Sequence, residues 1–251
     1  MSVWSAQALL IDIEGTTSEI AFVHEVLFPY ARHEVAGFLE KNAEKPEILA
    51  ILEQIARDDG ADNAWAWNPF PWPSGTAQQW VVEKIHRWID ADAKFTGLKT
   101  LQGHLWERGY RDGTLLSHVY ADVPEKFQSW HASGILLYIY SSGSVAAQQL
   151  LFAHTEKGNL TPFLSGYFDT AVGSKRESGS YLAIAQAIDR APGDILYLSD
   201  VPAELDAARL AGFQTTLVVR PGNPPLEATE HPQITTFAEI DLAKVTLPPK
   251  N

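Results

Sequence analysis

The stretch Ala8-Leu9-Leu10-Ile11-Asp12-Ile13-Glu14-Gly15-Thr16-Thr17 decides how the rest of the chain is interpreted. Its apolar run is typical of a strand buried on both faces, as strands of parallel sheets are. Asp12 and Glu14 follow at the carboxyl end, where two like charges are costly without a compensating cation. A divalent metal with oxygen ligands would compensate them, and Mg²⁺ is the natural candidate. A lone D-x-E pattern is more often a polar turn, so the interpretation depends on later segments.

The composition is that of an ordinary globular protein and excludes several functional classes. The chain has 251 residues, of which 45% are hydrophobic, and a formal net charge of −12. This acidic balance argues against nucleic acid and anionic membranes as partners. The chain contains no cysteine, which excludes disulfides, thiolate catalysis and Cys-ligated zinc. We therefore expect a cytoplasmic protein without a signal peptide or membrane span, and by default a monomer.

The order of helical and strand patterns indicates two kinds of domain. After the first strand, apolar residues recur at helical spacing as far as about Thr114, interrupted by a loop rich in Trp and Pro. From Val123 onward, helices alternate with apolar strands, which is typical of a doubly wound α/β fold with a parallel sheet. We therefore predict a sheet domain from residues 1–17 and 115–251, with residues 18–114 inserted as a mainly helical cap.

Three of the apolar strands end in residues that could perform chemistry, namely Asp12 with Glu14, then Ser141, and then Asp200. Ligands of parallel sheets bind outside the carboxyl ends of the strands, so these residues are expected around one crevice. Such a set could transfer a phosphoryl group through an aspartyl-phosphate. Asp12 would attack phosphorus, and Glu14 would protonate the leaving oxygen and later deprotonate water. Asp200 would complete a metal site with Asp12 and the backbone carbonyl of Glu14.

Further residues would bind the phosphoryl group and balance its charge. Ser141, with the backbone N–H groups around Ser142 and Gly143, could hold phosphoryl oxygens at a helix N-terminus. Lys175 could supply a fixed positive charge against the growing negative charge. Each signal is weak alone, because such a serine is usually a helix cap and such a lysine is usually solvated. Glu204 is interpreted as an acid that supports the metal ligands or lies on the surface.

Taken together, these segments resemble the haloacid-dehalogenase-like hydrolases. That family has a three-layer Rossmann-like domain with a mobile cap, and its usual motif has Asp where this chain has Glu14. This departure is similar to the acireductone synthase (enolase-phosphatase) branch. Longer stretches also resemble that branch: residues 22–31, 140–144, 168–170 ahead of 173–175, and 219–223.

The resemblance implies a reaction in methionine salvage. The substrate 2,3-diketo-5-methylthiopentyl-1-phosphate would be enolised and then dephosphorylated to the acireductone, with Mg²⁺ as cofactor. It also implies two groups of site residues. The metal would be surrounded by Asp12, Glu14 and Asp200. Substrate or phosphate would be bound by Ser141, Ser142 and Lys175.

Two features of this reaction stay open at the level of sequence. Glu14 is our hypothesis for the enolisation base, because its extra methylene reaches further than Asp would. Aromatic and aliphatic cap residues would line a pocket for the methylthio tail, and Phe22, Trp72 and Leu98 are candidates.

Other functions compete with this interpretation. The nearest alternative is a phosphatase of the same fold that acts on another small phosphomonoester. A dehalogenase would use the same nucleophile but needs no metal site, which counts against it. A non-catalytic binding module would not need to retain nucleophile, acid, lysine and metal-binding aspartate together.

Overall fold

The protein forms two compact units in a computed structural model that describes residues 3–225 and 229–242. The sheet unit comprises the described residues up to Phe22 and from Leu116 onward, and the helical unit is Val23–Leu115. The roles of catalytic core and cap, which the sequence suggests for these two regions, stay predictions. In the described part of the chain, no helix combines the length and apolar character that a membrane crossing requires.

The secondary-structure elements are numbered in chain order. The strands are β1 (Val3–Trp4), β2 (Ala8–Ile11), β3 (Leu136–Tyr140), β4 (Gly166–Phe168), β5 (Ile195–Ser199), β6 (Gln214–Val218), β7 (Gln233–Ile234) and β8 (Asp241–Leu242). The α-helices are α1 (Ile20–Phe22), α2 (Phe28–Asn42), α3 (Pro46–Asp58), α4 (Ala64–Trp67), α5 (Gly75–Asp90), α6 (Thr96–Arg111), α7 (Val123–Ala132), α8 (Val145–Ala153), α9 (Ser178–Ala187) and α10 (Pro202–Leu210). A π-helical segment spans Val23–Leu27, and short 3₁₀ turns span Thr161–Phe163, Pro192–Asp194 and Phe237–Glu239.

The sheet unit is built on a parallel sheet of six strands in the order β4-β3-β2-β5-β6-β7. Strand β2 lies inside it, with Leu9 paired to Leu137 on β3 and to Leu196 on β5. All four residues of β2 are fully buried, as the apolar run predicts. Burying each Leu or Ile contributes about 1.5–3 kcal/mol relative to exposure. The predicted α/β fold with a parallel, Rossmann-like sheet is confirmed.

Helices cover the sheet on its buried faces. Ala8 and Leu10 pack in one cluster with Tyr181 of α9 and Leu205 of α10. Because side chains alternate along a strand, Leu9 projects to the opposite face. Helix α7 contacts β3 and helix α8 contacts β4. The helices pack on the faces of the sheet, and the polar residues of the predicted site follow the carboxyl ends of its strands.

The helical unit has its own apolar core. Helix α2 packs against α5 and α6, and α3 packs against α6. Trp67 is buried, stacks on Trp88 with ring centroids 5.9 Å apart, and donates its indole N–H to Asp59 over 2.8 Å. Lys84 Nζ lies 2.6 Å from the same Asp59 carboxylate. The tryptophans described here therefore hold helices together.

The three suggested pocket residues lie in different surroundings. Leu98 is 1% exposed inside the core of the helical unit. Trp72 packs against that core and donates its indole N–H to the Ala43 carbonyl over 3.0 Å. Phe22 is buried at the end of α1. Their role as a pocket lining stays a prediction.

A buried arginine joins distant segments of the sheet unit. Arg220 donates Nε to the Thr16 carbonyl over 3.0 Å and a terminal N–H to Asp122 over 2.9 Å. The same terminal nitrogen donates to the Thr235 carbonyl over 3.1 Å, and the guanidinium stacks on the Phe237 ring at 4.6 Å. A buried charge is tolerated only when it is paired and hydrogen-bonded, and Arg220 has both kinds of partner.

Because of the ion pair between Arg220 and Asp122, the stability of the protein should decrease at low pH. Burial alone would raise the pKa of Asp122, but hydrogen bonds from Arg220 and the Phe237 amide hold it below its usual value. The ionised Asp122 therefore contributes to the free energy of unfolding above the ordinary pKa of Asp. That contribution is lost as pH falls through the lowered pKa of Asp122. We expect Asp122→Asn to cost about 2–3 kcal/mol of unfolding free energy at pH 7.

Denaturant unfolding at pH 7 and at pH 3.5 tests this expectation. The difference between the wild type and Asp122→Asn should shrink at the lower pH. Asp194→Asn serves as a control, because no side-chain ion pair of Asp194 is found among the described residues. An equal difference at both pH values would show that the charge of Asp122 does not matter.

Candidate active site

The predicted site residues follow strands that are neighbours in the sheet. Strand β2 lies between β3 and β5, and all three run in the same direction. The Asp12 amide donates to the Leu198 carbonyl over 2.9 Å, so the main-chain ladder continues one residue beyond β2. Ser141 directly follows β3 and Asp200 directly follows β5. The three strand ends therefore lie side by side at one edge, as the sequence predicts.

The carboxylate of Asp12 is buried and fixed by donors on both oxygens. Asp12 is 4% exposed. Its Oδ1 accepts the Ile13 amide over 2.8 Å, while its Oδ2 lies 2.7 Å from Lys175 Nζ and 3.3 Å from Ser199 Oγ. Burial raises the pKa of Asp12 to about 6, although Lys175 opposes that shift. A carboxylate held in this way loses little freedom when it reacts.

Lys175 is shared between two carboxylates. Its Nζ lies 2.7 Å from Asp12 Oδ2 and 2.7 Å from Glu204 Oε2, and the lysine is 8% exposed. Burial alone would lower the pKa of Lys175, but the attraction of Asp12 and Glu204 holds it above its usual value. The side chain is therefore a permanent positive charge beside Asp12.

Glu204 also belongs to this buried network. Its Oε2 accepts the Tyr197 hydroxyl over 2.8 Å and the Ser199 hydroxyl over 3.1 Å, in addition to Lys175. It projects from the first turn of α10 toward β5. Of the two positions suggested for Glu204, the surface is wrong, because it is only 9% exposed.

The chain turns sharply after Asp12. The amides of Thr16, Thr17 and Ser18 all donate to the Ile13 carbonyl, and the Gly15 amide donates to the Ser18 carbonyl. Gly15 has φ +70°, which glycine adopts without the penalty that other residues have. A Cβ atom at Gly15 would overlap the carboxylate of Asp200. The glycine therefore lets the turn approach Asp200 closely.

The carboxylates of Asp12 and Asp200 suit a divalent cation. Burial raises the pKa of Asp200 to about 7, and repulsion from Asp12 adds to that shift. A cation with oxygen ligands relieves this repulsion, and Mg²⁺ commonly uses one or two carboxylates with further oxygens. Within the described ranges, no group of three or more His, Cys, Asp and Glu side chains could hold a metal. Asp12 and Asp200 would therefore need backbone or water oxygens beside them, such as the carbonyl of Glu14.

Gly15→Ala should impair the site more than it impairs the fold. Left-handed backbone costs alanine about 1–2 kcal/mol, and the new methyl group would also displace Asp200. A displacement of about 1 Å in an active site can lower the rate about 100-fold. We therefore expect the displacement of Asp200 in Gly15→Ala to lower kcat/KM by about that factor. Gly60→Ala is a matched control, since Gly60 has φ +83° but open space around it. Equal activity of the two variants would contradict this role of Gly15.

The serines after β3 form the start of helix α8. Ser144 caps that helix by accepting the Ala147 amide over 3.3 Å, and Ser141 Oγ accepts the Gly143 amide over 3.3 Å. Ser141 is half-buried, whereas Ser142 is exposed. Free amides at a helix N-terminus are a usual place for phosphate oxygens. Phosphate binding by Ser141 and Ser142 stays a prediction.

Comparisons with known proteins identify the family to which the chain belongs. A family model described as haloacid dehalogenase-like hydrolase matches residues 6–212. The chain is 49% identical to Enolase-phosphatase E1 of Synechococcus elongatus, covering 94% of this chain and 98% of that protein. It is 45% identical to Enolase-phosphatase E1 of Methylococcus capsulatus, covering 93% of this chain and 97% of that protein.

Solved structures show the same fold. The crystal structure of the UTR4 protein from Saccharomyces cerevisiae matches with a TM-score of 0.77 and 32% identity, covering 94% of this chain and all of that one. CbbY from Rhodobacter sphaeroides, solved with phosphate, matches with a TM-score of 0.56 and 18% identity over 94% of this chain and 97% of that one, a likeness of fold alone. Sequence similarity along nearly the whole chain decides the family: this protein is a hydrolytic enzyme that belongs to the enolase-phosphatase E1 branch of the haloacid dehalogenase-like hydrolases.

Proposed function

We propose that the protein is a Mg²⁺-dependent enolase-phosphatase of methionine salvage. It would convert 2,3-diketo-5-methylthiopentyl-1-phosphate into the acireductone 1,2-dihydroxy-3-keto-5-methylthiopentene and phosphate. The observation that carries the proposal is the contact of Lys175 with Asp12, next to Asp200 at the end of the neighbouring strand. The Enolase-phosphatase E1 relatives support the choice of substrate.

Asp12 is proposed as the nucleophile of the phosphatase step. One of its carboxylate oxygens would bond to phosphorus while the bond from phosphorus to the enol oxygen breaks. Glu14 would give its proton to that departing oxygen and later take a proton from the water that hydrolyses the aspartyl-phosphate. This second step releases phosphate and restores the carboxylate of Asp12.

Lys175 is proposed to balance the charge of this reaction. Its ammonium group already lies 2.7 Å from Asp12 Oδ2, so it needs no reorganisation when negative charge grows on the phosphoryl oxygens. Ser141 and the backbone N–H groups around Ser142 and Gly143, just ahead of α8, would bind the phosphoryl oxygens. Asp12, Asp200 and the carbonyl of Glu14 would hold Mg²⁺, which screens the phosphate from the carboxylates and polarises the substrate.

An assay of substrate choice tests the proposal. Enol absorbance and phosphate release would be followed with the diketone phosphate, p-nitrophenyl phosphate and common sugar phosphates. We expect the diketone phosphate to have the highest kcat/KM, activity to vanish with a chelator, and Mg²⁺ to restore it. A sugar phosphate with the higher kcat/KM would indicate the alternative phosphatase, and full activity with chelator would reject the metal requirement.

Glu14 is further proposed as the base that enolises the substrate. Glu14→Asp keeps the carboxylate but shortens the side chain by one methylene, so proton abstraction from carbon should suffer most. We expect the rise of enol absorbance to slow more than the hydrolysis of p-nitrophenyl phosphate does. Equal losses in both rates would reject Glu14 as the enolisation base.

The helical unit is proposed as the cap that selects the substrate. The strand ends of the sheet unit offer polar groups for phosphate and metal, whereas the methylthio tail needs an apolar lining. Trp72→Ala would then raise KM for the diketone phosphate and leave KM for p-nitrophenyl phosphate unchanged. A parallel change in both KM values would contradict a selective role of Trp72.

A further inference from the structure

The loop that carries Lys175 is held through its backbone by three hydroxyl groups. Tyr140 donates to the Gly173 carbonyl over 3.0 Å. Ser180 donates to the Ser174 carbonyl over 2.7 Å. Tyr181 donates to the Lys175 carbonyl over 2.6 Å. Three consecutive carbonyls of the loop therefore each accept a hydrogen bond from a different side chain.

The three donors are themselves fixed. Tyr140 and Tyr181 are fully buried, and Ser180 is 3% exposed. The rings of Tyr140 and Tyr181 meet edge to face, with centroids 5.7 Å apart. Burial raises the pKa of both tyrosines above the ordinary value, so their hydroxyls stay protonated and can donate. Buried hydroxyls that each donate to one carbonyl of the loop form a rigid support.

The three hydroxyl donors belong to two elements that contact the loop, the strand β3 and the helix α9. Tyr140 is the last residue of β3, and Ser180 and Tyr181 lie in the first turn of α9. Gly173 has φ +140°, and a Cβ atom there would overlap Ser180 Oγ. The loop is therefore packed closely against its hydroxyl donors, and the side chain of Lys175 extends from it to Asp12.

We infer that Tyr140, Ser180 and Tyr181 are positioning residues of the phosphatase reaction, which hold Lys175 Nζ beside Asp12 by fixing the carbonyls of residues 173–175. None of the three needs to touch the substrate. This inference rests on the proposed role of Lys175 in phosphoryl transfer. It assigns to three buried hydroxyls a function beyond stabilising the fold, because a displaced loop moves the ammonium group away from the phosphoryl oxygens.

Single-hydroxyl deletions test the inference. Tyr140→Phe and Tyr181→Phe each remove one donor and keep the ring, and Ser180→Ala is a smaller third change. Tyr167→Phe is the matched control, since the Tyr167 hydroxyl is buried on the neighbouring strand β4 and has no hydrogen-bond partner among the described residues. Each variant is measured as the full-length chain with saturating Mg²⁺.

A positioning role predicts a specific pattern of effects. We expect kcat for p-nitrophenyl phosphate to fall about tenfold in Tyr181→Phe and Tyr140→Phe, with KM changed less than about threefold, because the lost stabilisation is largest in the transition state. The dissociation constant of inorganic phosphate, measured by titration calorimetry, should rise several-fold in the same variants. Tyr167→Phe should match the wild type in all three quantities.

The outcomes separate this inference from the proposed substrate. Variants of Tyr140, Ser180 or Tyr181 that lose thermal stability but keep the kcat and phosphate affinity of Tyr167→Phe would overturn the positioning role. A wild type that hydrolyses p-nitrophenyl phosphate but not the diketone phosphate would overturn the proposed substrate. The positioning role would still be supported in that case if these variants lose kcat for p-nitrophenyl phosphate. Should the tyrosine variants fail to fold, an unchanged kcat in Ser180→Ala would by itself count against the inference.

Discussion

Asp12→Asn should abolish phosphatase turnover while leaving the fold intact. The amide of asparagine is isosteric with the carboxylate but cannot attack phosphorus, so we expect kcat to fall by about 1,000-fold or more. Lys175 retains Glu204 as an ionic partner in this variant, at 2.7 Å in the wild type. The substitution also removes a buried carboxylate whose pKa is raised to about 6 mainly by burial. The loss of activity should therefore occur without a large loss of stability.

Steady-state phosphate release and thermal unfolding measure these two effects. Asp194→Asn, which changes the same charge at the amino end of β5 and not at the carboxyl ends of the strands, should keep full activity. Retention of more than about 1% of wild-type kcat in Asp12→Asn would argue against a nucleophilic aspartate, because removing a nucleophile commonly costs far more than that.

Lys175→Met should be the most damaging single change for stability, and it should also lower activity. It leaves the carboxylates of Asp12 and Glu204 buried without the cation that each contacts at 2.7 Å. Breaking a buried ion pair in this way costs about 3–5 kcal/mol. The loss of charge stabilisation in the transition state should lower kcat about 100-fold to 1,000-fold.

A second substitution separates the two effects of Lys175→Met. Adding Glu204→Gln removes one of the stranded charges, while the amide oxygen can still accept the Tyr197 hydroxyl, which donates over 2.8 Å in the wild type. The double variant should therefore recover part of the thermal stability and none of the activity. Recovery of both would show that Lys175 acts only through stability, and recovery of neither would show that Glu204 is not the stranded charge.

The sequence predicts the strands, and the residues that follow them, because both depend on the local pattern of apolar and polar residues. Apolar runs identify β2, β3 and β5, and the rule that parallel strands share one carboxyl edge brings Asp12, Ser141 and Asp200 to that edge. The chemistry of lysine and the family resemblance predict Lys175 as a site residue, and its ammonium group contacts Asp12. The metal and phosphate roles of these residues stay predictions.

The sequence does not predict contacts that join distant segments through side chains. Glu204 lies in the first turn of a helix, where local pattern fits a surface acid equally well. It is buried against Lys175, which belongs to a loop whose carbonyls accept hydrogen bonds from the hydroxyls of Tyr140 and Tyr181. The sequence places Arg220 only within a stretch that resembles the family, because its contacts with Thr16 and Thr235 require the folded sheet.

The central place of β2 in the sheet has a consequence for how the chain folds during synthesis. β2 leaves the ribosome before the helical unit, but both of its neighbours, β3 and β5, are made only after the whole of Val23–Leu115. The helical unit, by contrast, contains all of its own segments in one continuous run. Because pairing of distant segments is slow and leaves apolar strands exposed meanwhile, we expect the helical unit to fold first on the nascent chain and β2 to depend on chaperones until β5 has emerged.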